Sequence, residues 1–532
     1  MKVVIPMSGE GKRFKDAGFH EIKPLIKVGA KCMIEHVIGM FDREDEFLFV
    51  ARKDHLAQTA LEKVLAKAAP DCEIIGIDPH KLGPVHAVMK AEGSIDDSEP
   101  VIVNYCDFLA VWDYHGFSLK TRNGNWDGGI LGYCGLHPHL LWQGLYAGMR
   151  VGSGMELLEI REKHSFTKDM TESYHSAGTY SFASGALMKR QFRRAMDDGL
   201  AVNGEYYVSS AYEPMLKDGM KVFVQEAKYF LQWGTPQDLR EYIYWKEFFS
   251  HVEKKRPMLE NTTVLLPMAG DGKRFCSAGY SMPKPSIPVS GMPMFVHAIN
   301  SLPLAANYVL VCQESHLAKG LAGQIEKWLP DAKVVVAKHP TGGQADSCML
   351  AKGAIDPDCA LLVAACDNTV LFDFSKLKYE IADRATQALI WTFRNNRAVG
   401  RNPAAYAYVE TGSGNCARKV SCKKPISQSP MSDHALTGIF YFRKARDFFD
   451  ACKSMAEKNI RINGELYADT VPNELINAGK RVRAFEVDKY IVFGTPQDLL
   501  VYNYWKGYFT QTSREIQGPD INKGEKLCYE KA

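Results

Sequence analysis

The sequence repeats itself, and the length of the repeat decides what the chain can fold into. Pro6-Met7-Ser8-Gly9-Glu10-Gly11-Lys12-Arg13-Phe14 returns as Pro267-Met268-Ala269-Gly270-Asp271-Gly272-Lys273-Arg274-Phe275, identical at seven of nine positions and 261 residues on. Lys23-Pro24 returns as Lys284-Pro285 at the same offset. The register then holds through Asp107 and Asp367, through Asn203-Gly204-Glu205 and Asn463-Gly464-Glu465, and through Gly234 to Leu239 and Gly494 to Leu499, which are identical. Tyr244-Trp245-Lys246 and Tyr504-Trp505-Lys506 close it. A unit of about 250 residues is too long for a solenoid element and has the size of a whole domain. The chain of 532 residues is therefore expected to hold a first domain at 1–255, a second at 262–511 and a polar tail at 512–532. The charged stretch Glu253-Lys254-Lys255-Arg256-Pro257 is the expected linker.

Composition narrows the class of partner. With 46% apolar and 24% charged residues the chain can bury two substantial cores. Its 65 basic and 62 acidic residues leave a net charge of only +3, with no basic run, so we expect neither a nucleic-acid nor a membrane partner. No stretch approaches the roughly 20 apolar residues that span a bilayer. The apolar run at Val3-Val4-Ile5 reaches a motif loop by Ser8 and reads as a buried strand, not a signal peptide. Thirteen cysteines include no Cys-x-x-Cys pair, and Cys106, Cys312 and Cys366 sit in apolar segments, so a reducing cytoplasm is the expected setting. Self-association into a homo-oligomer is compatible with all of this.

Short apolar runs alternate with amphipathic stretches in both copies. Val3-Val4-Ile5, Phe47 to Val50 and Val101-Ile102-Val103 are echoed by Val264-Leu265-Leu266, Tyr308 to Val311 and Leu361-Leu362-Val363. Continuous apolar strands separated by helical periods predict an α/β fold, each copy a mainly parallel mixed sheet flanked by helices. In such sheets ligands bind beyond the carboxyl ends of the strands, which is where the repeated motifs fall.

The first strand of each copy ends in Gly9-x-Gly11-x-Arg13 or Gly270-x-Gly272-x-Arg274. Glycines there let backbone approach a phosphate, and the following helix start offers N–H donors. Lys12, Arg13, Lys273 and Arg274 add charge. A glycine pair after a strand could equally be an ordinary tight turn. About ten residues on, Lys23-Pro24 and Lys284-Pro285 place a cation in a loop stiffened by proline. Lys-Pro alone would read as a solvated surface pair; its duplication at fixed spacing argues for function.

These motifs resemble the sugar-phosphate nucleotidyltransferases, whose opening signature is a strand, Gly-x-Gly-x-Arg and then Pro-Lys-Pro. The second copy has all of it with Pro283-Lys284-Pro285, while the first has Ile22 before its lysine. The resemblance runs over nearly the whole chain, twice. It is nearest to bacterial members of capsule and lipopolysaccharide gene sets, through Lys424-Pro425-Ile426, Ser432-Asp433-His434-Ala435 and Gly438-Ile439-Phe440-Tyr441-Phe442. It implies two tandem Rossmann-like (GT-A-like) domains coupling an NTP to a sugar 1-phosphate or similar phosphorylated metabolite, with release of pyrophosphate. Arg13, Lys23, Arg274 and Lys284 are then expected in catalysis, and Gly9, Gly11, Lys12, Gly270, Gly272 and Lys273 in nucleotide binding. Asp107 and Asp367, each after an apolar strand, are expected to hold Mg²⁺, which takes one or two carboxylates and completes its shell with phosphate and water. An aspartate there could instead cap the next helix. Gly83 and Gly343 resemble the family's base-recognition loop, and the two copies differ around them. Lys163 and Lys424 fall where the family carries Glu-Lys-Pro, whose lysine contacts the acceptor phosphate; the first copy lacks the proline and the second the glutamate.

One departure is clear. Gln232 and Val492 stand where many family members place a second metal-binding aspartate, two residues before Gly-Thr-Pro. Either one carboxylate plus phosphates holds the ion, or a neighbour such as Glu226 or Glu486 substitutes, or catalysis is impaired. Three rival readings stay open. One is a cytidylyltransferase for a phospho-alcohol, phosphonate or phospho-amino compound, with Trp142, Tyr180 and Tyr207 able to line its pocket as well as a sugar's. Another makes one copy a non-catalytic binding or scaffolding module. The third, a glycosyltransferase on a related sheet, is disfavoured because Asp107-Phe108-Leu109 and Asp367-Asn368-Thr369 lack the Asp-x-Asp metal motif.

Overall fold

The computed structural model describes residues 1–142, 144, 146–251 and 256–516, the last few of these by backbone only. Residues 253–255 of the expected linker and 517–532 of the expected tail lie outside the described residues. Two compact units result: Met1–Lys246 together with the chain from Gly507, and Glu247–Lys506. Both divisions fall inside helices, Pro236–Phe249 and Pro496–Ile516, and not in the charged stretch at 253–257. The first unit keeps the chain from Gly507 because Tyr508 packs against Tyr229 and Tyr242, and Phe509 against Tyr242.

Each unit is built on a nine-stranded sheet. In the first, Glu73–Ile77, Glu46–Arg52, Lys2–Met7 and Val101–Asn104 lie side by side in parallel. Tyr174–Phe182 then pairs antiparallel with Val101–Asn104 and carries Gly128–Tyr133 beyond it. In the second unit Lys333–Ala337, Leu304–Gln313, Met258–Met268 and Ala360–Val363 repeat the parallel set, and His434–Phe442 and Thr386–Phe393 repeat the antiparallel one.

The reason lies in the apolar runs. Val3, Val4 and Ile5 are all fully buried, Val3 and Ile5 in the core on one face and Val4 in the core on the other. Leu265 and the pair Val264 and Leu266 divide in the same way in the second unit. Burying each such side chain contributes roughly 1.5–3 kcal/mol, so a strand apolar on both faces is stable only with helices on both.

The parallel pairing sets the site. Because Lys2–Met7 and Val101–Asn104 run the same way as neighbours, their carboxyl ends release the glycine loop and Asp107 on one edge. A two-stranded ribbon, Phe108–Val111 with Tyr229–Gln232, follows Asp107 directly and pairs Gln232 with Phe108. Asn368–Leu371 with Lys489–Val492 does the same beside Asp367.

Candidate active site

At the end of the first strand Gly11 adopts φ 67° and Gly272 φ 64°, a left-handed conformation that costs glycine nothing and other residues about 1 kcal/mol or more. Each precedes a single helical turn, Lys12–Asp16 and Lys273–Ser277, pinned by a buried Phe14 or Phe275. Lys12, Arg13, Lys273 and Arg274 are left exposed on those turns. Gly9 and Gly270 have open space where a side chain would be, so both loops leave room for a ligand.

Lys23 and Lys284 each open a short turn with proline in its first positions. Their ammonium groups lie 5.7 and 6.0 Å from the rings of Phe14 and Phe275 and donate to Asp107 Oδ2 and Asp367 Oδ2 respectively. The lysine and aspartate singled out separately in the sequence thus form one ion pair in each unit. Burial pulls the Lys284 ammonium down, but Asp367 outweighs it and holds the group above its usual value, so it stays charged. The thiols of Cys106 and Cys366, immediately before the aspartates, are pushed up to about 12 by burial and then by the neighbouring carboxylate. They remain protonated and offer no thiolate nucleophile.

The backbone holds each aspartate from the ribbon side. Trp233 N–H donates to Asp107 O at 3.0 Å and Phe493 N–H to Asp367 O at 2.7 Å. The glycine that follows leaves a gap against the carboxylate: a Cβ on Gly234 would lie 2.9 Å from Asp107 Oδ2, and one on Gly494 3.6 Å from Asp367 Oδ2. Gln232 occupies the site edge, accepting from Gly234 N–H at 3.2 Å. Glu226 and Glu486, the candidate substitutes for a second metal carboxylate, are engaged elsewhere, by Tyr174 and by Arg394.

A second carboxylate comes from a residue the sequence reading passed over. Asp498 Oδ2 would lie 3.8 Å from that same Cβ on Gly494, so Asp367 and Asp498 face one point. The signal was the identical Gly-Thr-Pro-Gln-Asp-Leu. Its aspartate also has a plain structural duty, capping the last helix through Thr495 Oγ1 at 2.7 Å. Burial raises its carboxyl above the usual range against the pull of Thr495 and Arg401. Among the described residues no group of three or more histidine, cysteine, aspartate or glutamate side chains gathers to hold a metal.

Lys163 sits at φ 52° with its ammonium 5.2 Å from the Tyr207 ring. Its counterpart is Lys423, not Lys424: Lys423 has φ 58° and lies 5.4 Å from the ring of Tyr467. Lys424 is exposed, and its carbonyl accepts from Ser421 Oγ at 2.8 Å. Beneath these lysines the polar pair is exchanged between units, Glu162 with Ser209 in one and Cys422 with Asp469 in the other. Trp142 lines a surface hollow with Leu140, Lys168 and Met170 that none of the other candidate site residues enters, whereas Tyr180 is core.

Gly83 and Gly343 have φ 86° and 137°, and a Cβ would meet the backbone of Tyr206 at 2.7 Å or of Leu466 at 2.5 Å. These glycines are required by close backbone packing, which fixes the loops whatever they bind. The loops differ in chemistry. In the first unit Ser8 Oγ and His80 Nε2 are 3.1 Å apart, and the His80 and His86 rings meet edge to face. In the second, Asp346 replaces His86 and pairs with Arg461 at 3.2 Å.

Residues 263–506 match the profile of the family described as nucleotidyl transferase. The second unit belongs to that family. The nucleotidyl transferase domain thus fills almost the whole of Glu247–Lys506, and it makes the protein a nucleotidyltransferase. Solved structures similar to the chain include a nucleoside-diphosphate-sugar pyrophosphorylase from Vibrio cholerae RC9, at 20% identity and TM-score 0.37, covering 45% of this chain and 98% of the other. The inositol-1-phosphate CTP transferase from T. maritima aligns at 17% identity and TM-score 0.37, over 46% of this chain and 96% of its own. No curated protein matches the chain. No helix among the described residues is long and apolar enough to cross a membrane.

Proposed function

We propose that the protein couples an NTP to a sugar 1-phosphate or similar phosphorylated small molecule and releases pyrophosphate. The observation that carries this reading is the repeated assembly of glycine loop, lysine–aspartate ion pair and ribbon glycine at the carboxyl edge of a parallel sheet in a nucleotidyl transferase domain. An acceptor phosphate oxygen attacks the NTP α-phosphorus in line, the bond to pyrophosphate breaks, and no covalent enzyme intermediate is needed. What the chain must supply is position and positive charge.

The residues divide that work. The open loops at Gly9 and Gly270 admit the triphosphate, with Arg13 or Arg274 beside it. An ammonium has three donors, so Lys23 or Lys284 can keep its aspartate and also reach a phosphate oxygen. Lys163 and Lys423 hold the reacting phosphate of the acceptor. The carboxylates of Asp107 and Asp367, with the gap left by Gly234 and Gly494, suit a Mg²⁺ that takes its remaining ligands from phosphate and water; when bound it neutralises charge on the triphosphate. Asp498 supplies a second carboxylate in the second unit.

The unlike loops beside Gly83 and Gly343 support two different nucleotides, and the fuller opening signature makes the second unit the first to test. The resemblance to capsule and lipopolysaccharide members supports supply of an activated sugar for a surface polysaccharide, in the cytoplasm. Pyrophosphate release with Mg²⁺, each of the four NTPs and a panel of sugar 1-phosphates and phospho-alcohols tests the reading. Release with at least one pair is expected; none, together with no NTP binding by calorimetry, would turn the second unit into a scaffold.

A further inference from the structure

The second unit carries an arginine beside Asp498 whose hydrogen-bonding capacity the fold leaves partly unused. Arg401 closes the short helix Arg397–Arg401, which Asn396 caps by accepting from Ala398 N–H. Asn396 also donates to Tyr490 O at 2.8 Å, so the helix is anchored from a buried position. The Arg401 side chain is only 15% exposed. Its Nη2 forms an ion pair with Asp498 Oδ1 at 3.8 Å, too long for a hydrogen bond, and its buried Nη1 has no acceptor among the described residues. A buried guanidinium with unsatisfied donors is costly, and that cost is removed when an anion completes it.

Its location says which ligand could do so. Arg401 stands beside Asp498, which faces the same point as Asp367, and the chain runs from it through Pro403–Ala405 to Tyr406, whose carbonyl accepts from Lys423 N–H at 3.0 Å. Lys423 is available for the reacting phosphate. The first unit has no arginine at this place. At the repeat offset of 260 Leu141 stands in place of Arg401, in the apolar turn Pro138–Leu141.

Resting on the transfer reaction proposed above, we infer that Arg401 is a specificity residue: the second unit takes an acceptor that bears a second anionic group, a carboxylate or another phosphate, besides the phosphate that reacts. The planar fork of a guanidinium matches either group through two parallel hydrogen bonds. A neutral acceptor of the same shape leaves those donors unpaired and is rejected, which is how a polar site discriminates strongly.

The test is calorimetric binding to the full chain with Mg²⁺ and an NTP whose α,β-bridge is methylene. The probes are glucose 1-phosphate against glucuronic acid 1-phosphate and glucose 1,6-bisphosphate, and glycerol 3-phosphate against 3-phosphoglycerate. Wild type is expected to bind a doubly anionic member at least about tenfold more tightly than its neutral counterpart, the scale of one charge-assisted hydrogen bond. Which member gains tells carboxylate from phosphate. Arg401→Leu should erase that advantage and leave the neutral member unchanged, with Arg401→Lys retaining part of it. No advantage in either series, or equal weakening of both members by Arg401→Leu, overturns the assignment while NTP binding persists. Loss of NTP binding in wild type itself would instead sink the underlying reading.

Discussion

Gly234→Ala and Gly494→Ala are the same change at equivalent positions, and the structure gives them different outcomes. Neither glycine has a positive φ, so alanine is allowed at both and gains about 0.4–1 kcal/mol by restricting the unfolded chain. At Gly494 the new methyl meets Val492 Cγ2 at 3.3 Å and Asp367 Oδ2 at 3.6 Å, contacts that small adjustments absorb. At Gly234 it would stand 2.9 Å from Asp107 Oδ2, closer than carbon and oxygen tolerate. That oxygen is the one accepting from Lys23, so relief of the clash weakens the ion pair. A charge-assisted hydrogen bond is worth about 1.5–3 kcal/mol. Set against the entropic gain, Gly234→Ala should cost the first unit about 1–2 kcal/mol, and Gly494→Ala should leave the second unit unchanged or slightly more stable. In units of this size that is a fall of roughly 2–8 °C in one transition and almost none in the other. Differential scanning calorimetry of the two variants reads this directly. Equal shifts, or a stabilised Gly234→Ala, would refute the idea that Gly234 is needed to make room for the Asp107 carboxylate.

Three further outcomes follow from the same geometry. Lys423→Ala should raise the acceptor KM at the second site about tenfold or more with kcat less affected, while Lys424→Ala should change neither, measured by pyrophosphate release. Burial holds the His137 and His297 imidazoles down at about 4, so the folded state binds fewer protons than the unfolded chain below pH 6.5. Stability is then intact above pH 6.5 and lost as pH falls towards 4, by roughly 3 kcal/mol per histidine. His297→Leu should flatten the acid limb of the second unit's urea midpoint, and an unchanged slope would remove that cause. Gly83→Ala should destabilise the first unit by about 2 kcal/mol or more, since it combines φ 86° with a 2.7 Å approach to Tyr206 N; a melting temperature within about 1 °C of wild type would contradict it.

The strands were legible because each is a continuous apolar run that only a sheet covered on both faces can bury. The glycine loops, Lys23, Lys284, Asp107 and Asp367 were legible because duplication fixes their spacing. What spacing could not show is pairing: that each lysine meets its aspartate depends on two parallel strands ending side by side. The choice between Lys423 and Lys424 was ambiguous in a double lysine, and a left-handed backbone resolves it. Asp498 lay hidden in an identical phrase whose helix-capping pattern accounts for it locally. Arg401 had no repeat partner to mark it, since its counterpart is Leu141.

The most direct test of the central claim is pyrophosphate release by the wild-type chain, Asp107→Asn and Asp367→Asn with the best NTP and acceptor pair for each activity present. Loss of about 100-fold or more of one activity in each variant is predicted, with NTP binding and melting temperature retained, since removing one charged group aimed at the transferring phosphate costs on that scale. Full turnover in Asp367→Asn would contradict it.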